Sequence, residues 1–101
     1  MKLPHLATAL CLAATAGMAS AQDPSLARNL AATCANCHGT NGKSIASSGM
    51  EALAGTDKAK LLQKIRDFKS GAKPATIMQQ IAKGYSDEQM DIIATYYAAQ
   101  K

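Results

Sequence analysis

Apolar residues recur at helical spacing in four stretches of this chain, and no stretch alternates apolar and polar residues as a strand does. Pro24 and Ser25 open the first stretch. It carries Leu26, Leu30 and Ala31 on one face and predicts a helix to about Cys34. Residues 39–57 are rich in Gly, Ser and Ala and read as a loop, broken at its start by Gly39 and Gly42. A second helix is predicted over about Asp57 to Lys69, with Leu61, Leu62, Ile65 and Phe68 on its apolar face and Gly71 at its end. Lys73-Pro74 is a break. A short helix then runs from about Ala75 to Lys83 with Ile77, Met78 and Ile81 close together, and Gly84 caps it. The last helix starts at Ser86, where Gln89 completes a capping box. Its stripe is Met90, Ile93, Ala94 and Tyr97, with Tyr96 alongside. Val is absent, and the predicted class is all-α, about four short helices.

The N-terminal segment has a different pattern. Lys2 precedes an uncharged apolar run from Leu6 to Gly17, and Ala19-Ser20-Ala21 follows the small-x-small rule. Residues 1–21 therefore read as a secretory signal peptide cleaved before Gln22, with residues 22–101 as one mature domain. The apolar run is short for a membrane span of ~30 Å, and Leu10 before Cys11 disfavours a lipid anchor.

Composition narrows the function. A chain of 101 residues leaves no room for a multidomain enzyme, a dedicated nucleotide-binding domain or a multi-span membrane protein. The net charge of +4 is modest and its lysines are scattered, so nothing argues for a nucleic-acid partner. The aromatic residues are three Tyr and one Phe, a poor stock for a core. Export removes His5 and Cys11, which leaves Cys34, Cys37 and His38 as the only Cys and His.

Those three residues form Cys34-Ala35-Asn36-Cys37-His38, a C-x-x-C-H motif for covalent attachment of c-type haem. Two thiols three positions apart reach the two vinyl groups on one porphyrin edge, and the next residue ligates the iron. A disulfide across so short a loop stabilises little and leaves His38 unexplained. A thiol-redox C-x-x-C follows a strand in an α/β unit, and no strand pattern precedes Cys34. Zinc would lack a fourth ligand. One covalent haem also answers the core deficit, since short helices around a large apolar disc bury more surface than the side chains supply. The polypeptide without haem is then expected to be marginal or unfolded.

His38 is the sole histidine of residues 22–101, so a bis-histidine pair within one chain is excluded and the sixth ligand is a Met, another weak donor, or nothing; Met/His ligation suits electron transfer. Met90 sits on an apolar stripe and reads as core. Met78 is far enough along the chain to cross to the distal side. Position favours Met78 and leaves Met50 open.

The mature chain resembles a small class I cytochrome c. Phe68-Lys69-Ser70-Gly71, Thr76-Ile77-Met78, Ile81-Ala82-Lys83-Gly84-Tyr85-Ser86 and the Tyr96-Tyr97 pair are similar to the cytochrome subunit of sulfide dehydrogenase, flavocytochrome c. The resemblance implies a fold of short helices wrapped around one haem, with His38 and Met78 as axial ligands. It also implies an FAD-containing, sulfide-oxidising partner subunit. Class I cytochromes usually place a Pro before Leu-Ala-Gly, with a carbonyl that holds the ligand His. Here Met50-Glu51-Ala52 precede Leu53-Ala54-Gly55, so the carbonyl of Met50 or Glu51 would serve.

The expected function is electron transfer in the periplasm, without bond-making chemistry of its own. The alternative within that class is a freely diffusing single-haem carrier that feeds a terminal oxidase or other redox enzyme. A haem-based sensor or peroxidase would need an open sixth position, against which the three methionines argue. Tyr85 and Tyr97 are candidates for haem contact, with packing favoured for Tyr97. Lysines 58, 60, 64, 69, 73 and 83 are candidates for docking an acidic partner, chiefly Lys73 and Lys83, which flank Met78.

Overall fold

A computed structural model describes residues 23–101. The export segment read over residues 1–21 lies outside the described residues. Four α-helices, α1 (Pro24–His38), α2 (Lys58–Ser70), α3 (Met78–Lys83) and α4 (Asp87–Ala98), account for the regular structure, and no strand occurs among the described residues.

Local chemistry explains each start. The Asp23 carboxylate accepts from Ser25 N–H at 2.9 Å ahead of Pro24, whose missing N–H costs nothing at a first helical position. Asp57 caps α2 by accepting from Lys60 N–H at 3.1 Å. Ser86 and Gln89 form the predicted capping box at 3.2 and 2.9 Å. Gly71, at φ 83°, ends α2 in the left-handed region that glycine enters without steric cost.

Two boundaries differ from the sequence expectation. α1 continues through the whole C-x-x-C-H motif to His38 instead of stopping near Cys34. Nothing in Cys34–His38 breaks a helix, and the stop comes from Gly39 at φ 85°. α3 begins at Met78 rather than Ala75: around Lys73-Pro74 the chain runs as bends and irregular backbone through Ile77, and no helical turn forms there.

The helices meet on α4. It packs against α1 and α2, while α3 packs on α2. Ala31, Leu61, Ile93, Ala94 and Tyr97 form the buried cluster, with Met90 and Ala82 also buried. This core is small and contains one aromatic ring.

The connection from α1 to α2 holds two 3-10 turns, Thr40–Gly42 and Ala46–Ser48. The Gly42 carbonyl accepts from Leu53 and Ala54 N–H at 2.9 and 3.1 Å, which returns the loop to the body. Gly42 is buried at φ 75°, and a Cβ there would lie 2.7 Å from the Tyr97 ring. Only glycine lets the loop lie this close to α4.

Candidate haem site

The four helices and the loop surround one apolar cleft of roughly 850 Å³, counting the solvent at its mouth. Its lining is almost wholly apolar with a few polar groups, as in a cofactor cleft. The end of α1 supplies Thr33, Cys34, Cys37 and His38 to its wall. The loop supplies Met50, Glu51 and Leu53, and α2 supplies Leu61, Lys64, Ile65 and Phe68. Ile77, Met78 and Ile81 close a further side, and Ile93, Ala94 and Tyr97 of α4 form the floor toward the core.

The cleft thus gathers all four residues singled out as site candidates: Cys34, Cys37, His38 and Met78. It gathers Met50 as well, so lining does not separate the two methionines. Met50 is 40% exposed, whereas Met78 is half-buried at the first residue of α3. Met90 is fully buried and lies outside the cleft wall, in keeping with its core reading.

The His38 ring is oriented from behind. Its Nδ1 lies 2.6 Å from the Glu51 carbonyl oxygen. A carbonyl only accepts, so Nδ1 carries the proton and Nε2 keeps a free lone pair, the tautomer that a metal needs. Of the two carbonyls the sequence left open, the structure selects Glu51. The Glu51 carboxylate in turn pairs with the Lys64 ammonium, which holds its carboxyl below the usual range.

Cys34 and Cys37 form no disulfide. Burial pushes the Cys34 thiol above its ordinary value. A thiol-disulfide catalyst works through a lowered thiol pKa, so this environment does not suit one. Among the described residues no three His, Cys, Asp or Glu side chains group to hold a bare metal ion. The donor set instead fits haem c: two thiols, one imidazole with its outer nitrogen fixed, thioether sulfur, and an otherwise apolar wall.

Tyr97 lines the cleft, but its phenol turns into the core and donates to the Ala31 carbonyl at 2.5 Å. Tyr96 meets it edge-on, with centroids 5.2 Å apart, and donates to Asn41 Oδ1 at 2.7 Å. Tyr85 is half-buried against the core and is not part of the cleft wall.

The lysines do not form a uniform ring. Lys58 pairs with Asp91 at 3.0 Å, Lys64 with Glu51, and Lys69 donates to the Tyr85 carbonyl at 2.5 Å. Lys73 sits over the Phe68 ring, 5.2 Å from its centroid. Lys83 is exposed on α3 and makes no ion pair among the described residues. These intramolecular roles were invisible in the sequence because each joins residues from different turns or elements.

No family model matches the chain. Individual relatives do. The chain is 44% identical over 64 residues to the thiosulfate dehydrogenase electron acceptor of Stutzerimonas stutzeri (strain A1501), covering 63% of this chain and 30% of that protein. It is 38% identical over 68 residues to the cytochrome subunit of sulfide dehydrogenase of Chlorobaculum tepidum, covering 67% of this chain and 60% of that protein. The chain therefore spans less than two thirds of the length of these two relatives. It is 35% identical over 72 residues to cytochrome c-554(548) of Halomonas halodenitrificans, covering 68% of this chain and 86% of that protein. With an all-α fold that brings the C-x-x-C-H motif to an apolar cleft, and with the Halomonas cytochrome matched over 86% of its length, the chain belongs to the class I c-type cytochromes.

Proposed function

We propose that this chain is a periplasmic electron carrier with one covalent haem c, and that it accepts electrons from an FAD-containing, sulfide-oxidising dehydrogenase subunit. The observation that carries the haem reading is the convergence of Cys34, Cys37, His38 and Met78 on one apolar cleft. The relative named as a cytochrome subunit of sulfide dehydrogenase supports the partner. Bound haem supplies reversible uptake of a single electron by iron.

The residues divide the remaining work. Cys34 and Cys37 anchor the porphyrin as thioethers, so it is not lost to dilution outside the cytoplasm. His38 offers Nε2 to the iron while Glu51 holds Nδ1. Met78 would offer its thioether sulfur to the bound iron, a donor that favours the ferrous state and would raise the potential. The apolar walls exclude water, which disfavours the extra charge of the ferric state. Residues 1–21 direct export and are removed before Gln22.

A second reading has its own support. The Halomonas cytochrome is matched over most of its length, which suits a small carrier that diffuses freely between redox enzymes. Mass spectrometry of the exported protein tests the common ground: the expected mass is that of residues 22–101 plus one haem, and a bare polypeptide from cells competent in attachment refutes it. Stopped-flow reduction by a sulfide-oxidising flavoprotein then separates the readings. Rapid reduction on adding sulfide supports the subunit, and no transfer supports the diffusing carrier.

A further inference from the structure

We infer that Lys64 is a positioning residue for His38: paired with the Glu51 carboxylate, it holds residue 51 where the Glu51 carbonyl accepts the His38 Nδ1 proton. This rests on the reading of His38 as an iron ligand.

The segment that carries the carbonyl has little else to hold it. Residues 45–52 are all exposed, with Ile45 at 72% and Met50 at 40%. Their hydrogen bonds are local: Ser48 N–H to the Ile45 carbonyl and Met50 N–H to Ser48 Oγ. These shape the turn without fastening it to the body. Backbone anchorage resumes only at Leu53 and Ala54, on the Gly42 carbonyl. Glu51 reaches other elements at two points, its carbonyl on His38 and its carboxylate on Lys64.

Lys64 is a firm anchor. It lies in the middle of α2, which is capped at both ends by Asp57 and Gly71. Lys64 belongs to the cleft wall, and its partly exposed side chain reaches Glu51. The ion pair thus ties the end of α1, the loop and α2 together at the imidazole.

An exposed pair contributes little to global stability. Positioning asks less of it. Hydrogen bonds weaken steeply with angle and distance, so restricting where one carbonyl sits changes the bond to Nδ1. That bond raises the basicity of Nε2, which stabilises the ferric iron it ligates. Loss of Lys64 should therefore weaken the donor and raise the reduction potential. Its charge alone acts in the opposite direction, because removing a cation near the iron favours the ferric state and lowers the potential.

The experiment compares wild type, Lys64→Gln, Lys64→Arg, Glu51→Gln and the Lys64→Gln/Glu51→Gln double variant, each with haem content checked by mass. The readouts are the reduction potential and solvent exchange of the His38 Nδ1 proton by NMR. Lys64→Gln is expected to raise the potential and to speed exchange about threefold, within what an exposed ion pair can transmit. Lys64→Arg is expected to restore both. Glu51→Gln should speed exchange as Lys64→Gln does, and the double variant should add nothing further to exchange. A potential that falls or stays unchanged in Lys64→Gln overturns the positioning role, as does unchanged exchange. A wild-type chain without haem overturns instead the ligand reading beneath it.

Discussion

The phenol of Tyr97 donates to the Ala31 carbonyl across 2.5 Å, joining α4 to α1 at the centre of the buried cluster. The same residue's backbone carbonyl accepts from Gly55 N–H at 3.0 Å, and its ring covers Gly42. One side chain on the last helix therefore registers the first helix and the loop that follows the haem motif. That loop carries Glu51, so the contact also sets where the support for His38 begins.

Tyr97→Phe should lower stability by about 1 kcal/mol, because the Ala31 carbonyl retains its place in the α1 ladder and loses only the added donor. The alkaline limb is more diagnostic. Burial raises the Tyr97 phenol above its ordinary value of 10.0. A folded-state pKa above the unfolded one gives stability that is complete below the unfolded pKa and lost as pH rises toward the folded one. Denaturation curves above about pH 10 should show wild type losing stability more steeply than Tyr97→Phe.

The three methionines predict three phenotypes. Met78→Ala should lower the reduction potential and open the iron to carbon monoxide or cyanide. Met90→Ala should cost ~2–5 kcal/mol as a core cavity and leave the visible spectrum unchanged. Met50→Ala, at a 40% exposed position, should do neither. Loss of the sixth ligand in the Met50 variant, with the Met78 variant unaffected, would exchange their assignments.

Preventing attachment should prevent folding. Among the described residues seven hydrophobic residues are buried, and four of the seven are Ala, Ala, Ala and Met. The apolar cleft would stand open to water without the porphyrin. Circular dichroism of the Cys34→Ala/Cys37→Ala double variant should show little cooperative helix at neutral pH, while the haem-bearing protein unfolds in one transition. A cooperative melt of the double variant near the wild-type midpoint would place the stability in the polypeptide itself.

The Glu51 carboxyl is held low by its hydrogen bond from Lys64. A depressed folded-state pKa gives stability that is present above the unfolded pKa and lost as pH falls through the folded one. Because both side chains are substantially exposed, the contribution should stay below ~1 kcal/mol. Urea titrations from pH 6 down toward pH 3 should show Glu51→Gln with a slightly flatter acid limb than wild type.

The sequence alone determined whatever depends on neighbours along the chain. Helical spacing located all four helices. The Ser86–Gln89 box and Gly71 marked their ends, because caps are contacts within one turn. Cys34-Ala35-Asn36-Cys37-His38 carried its chemistry at a fixed spacing. The tertiary structure decided whatever depends on residues far apart in sequence. It carried α1 through the motif to Gly39, chose the Glu51 carbonyl over that of Met50, and drew Lys64 from docking candidate to ion-pair partner. It also set Gly42 so close to Tyr97 that an added Cβ would lie 2.7 Å from the ring, an approach that no periodicity encodes. Pairing across thirteen or fifty-five residues follows from how the helices pack around the cleft, and that packing is settled only when the whole chain closes on it.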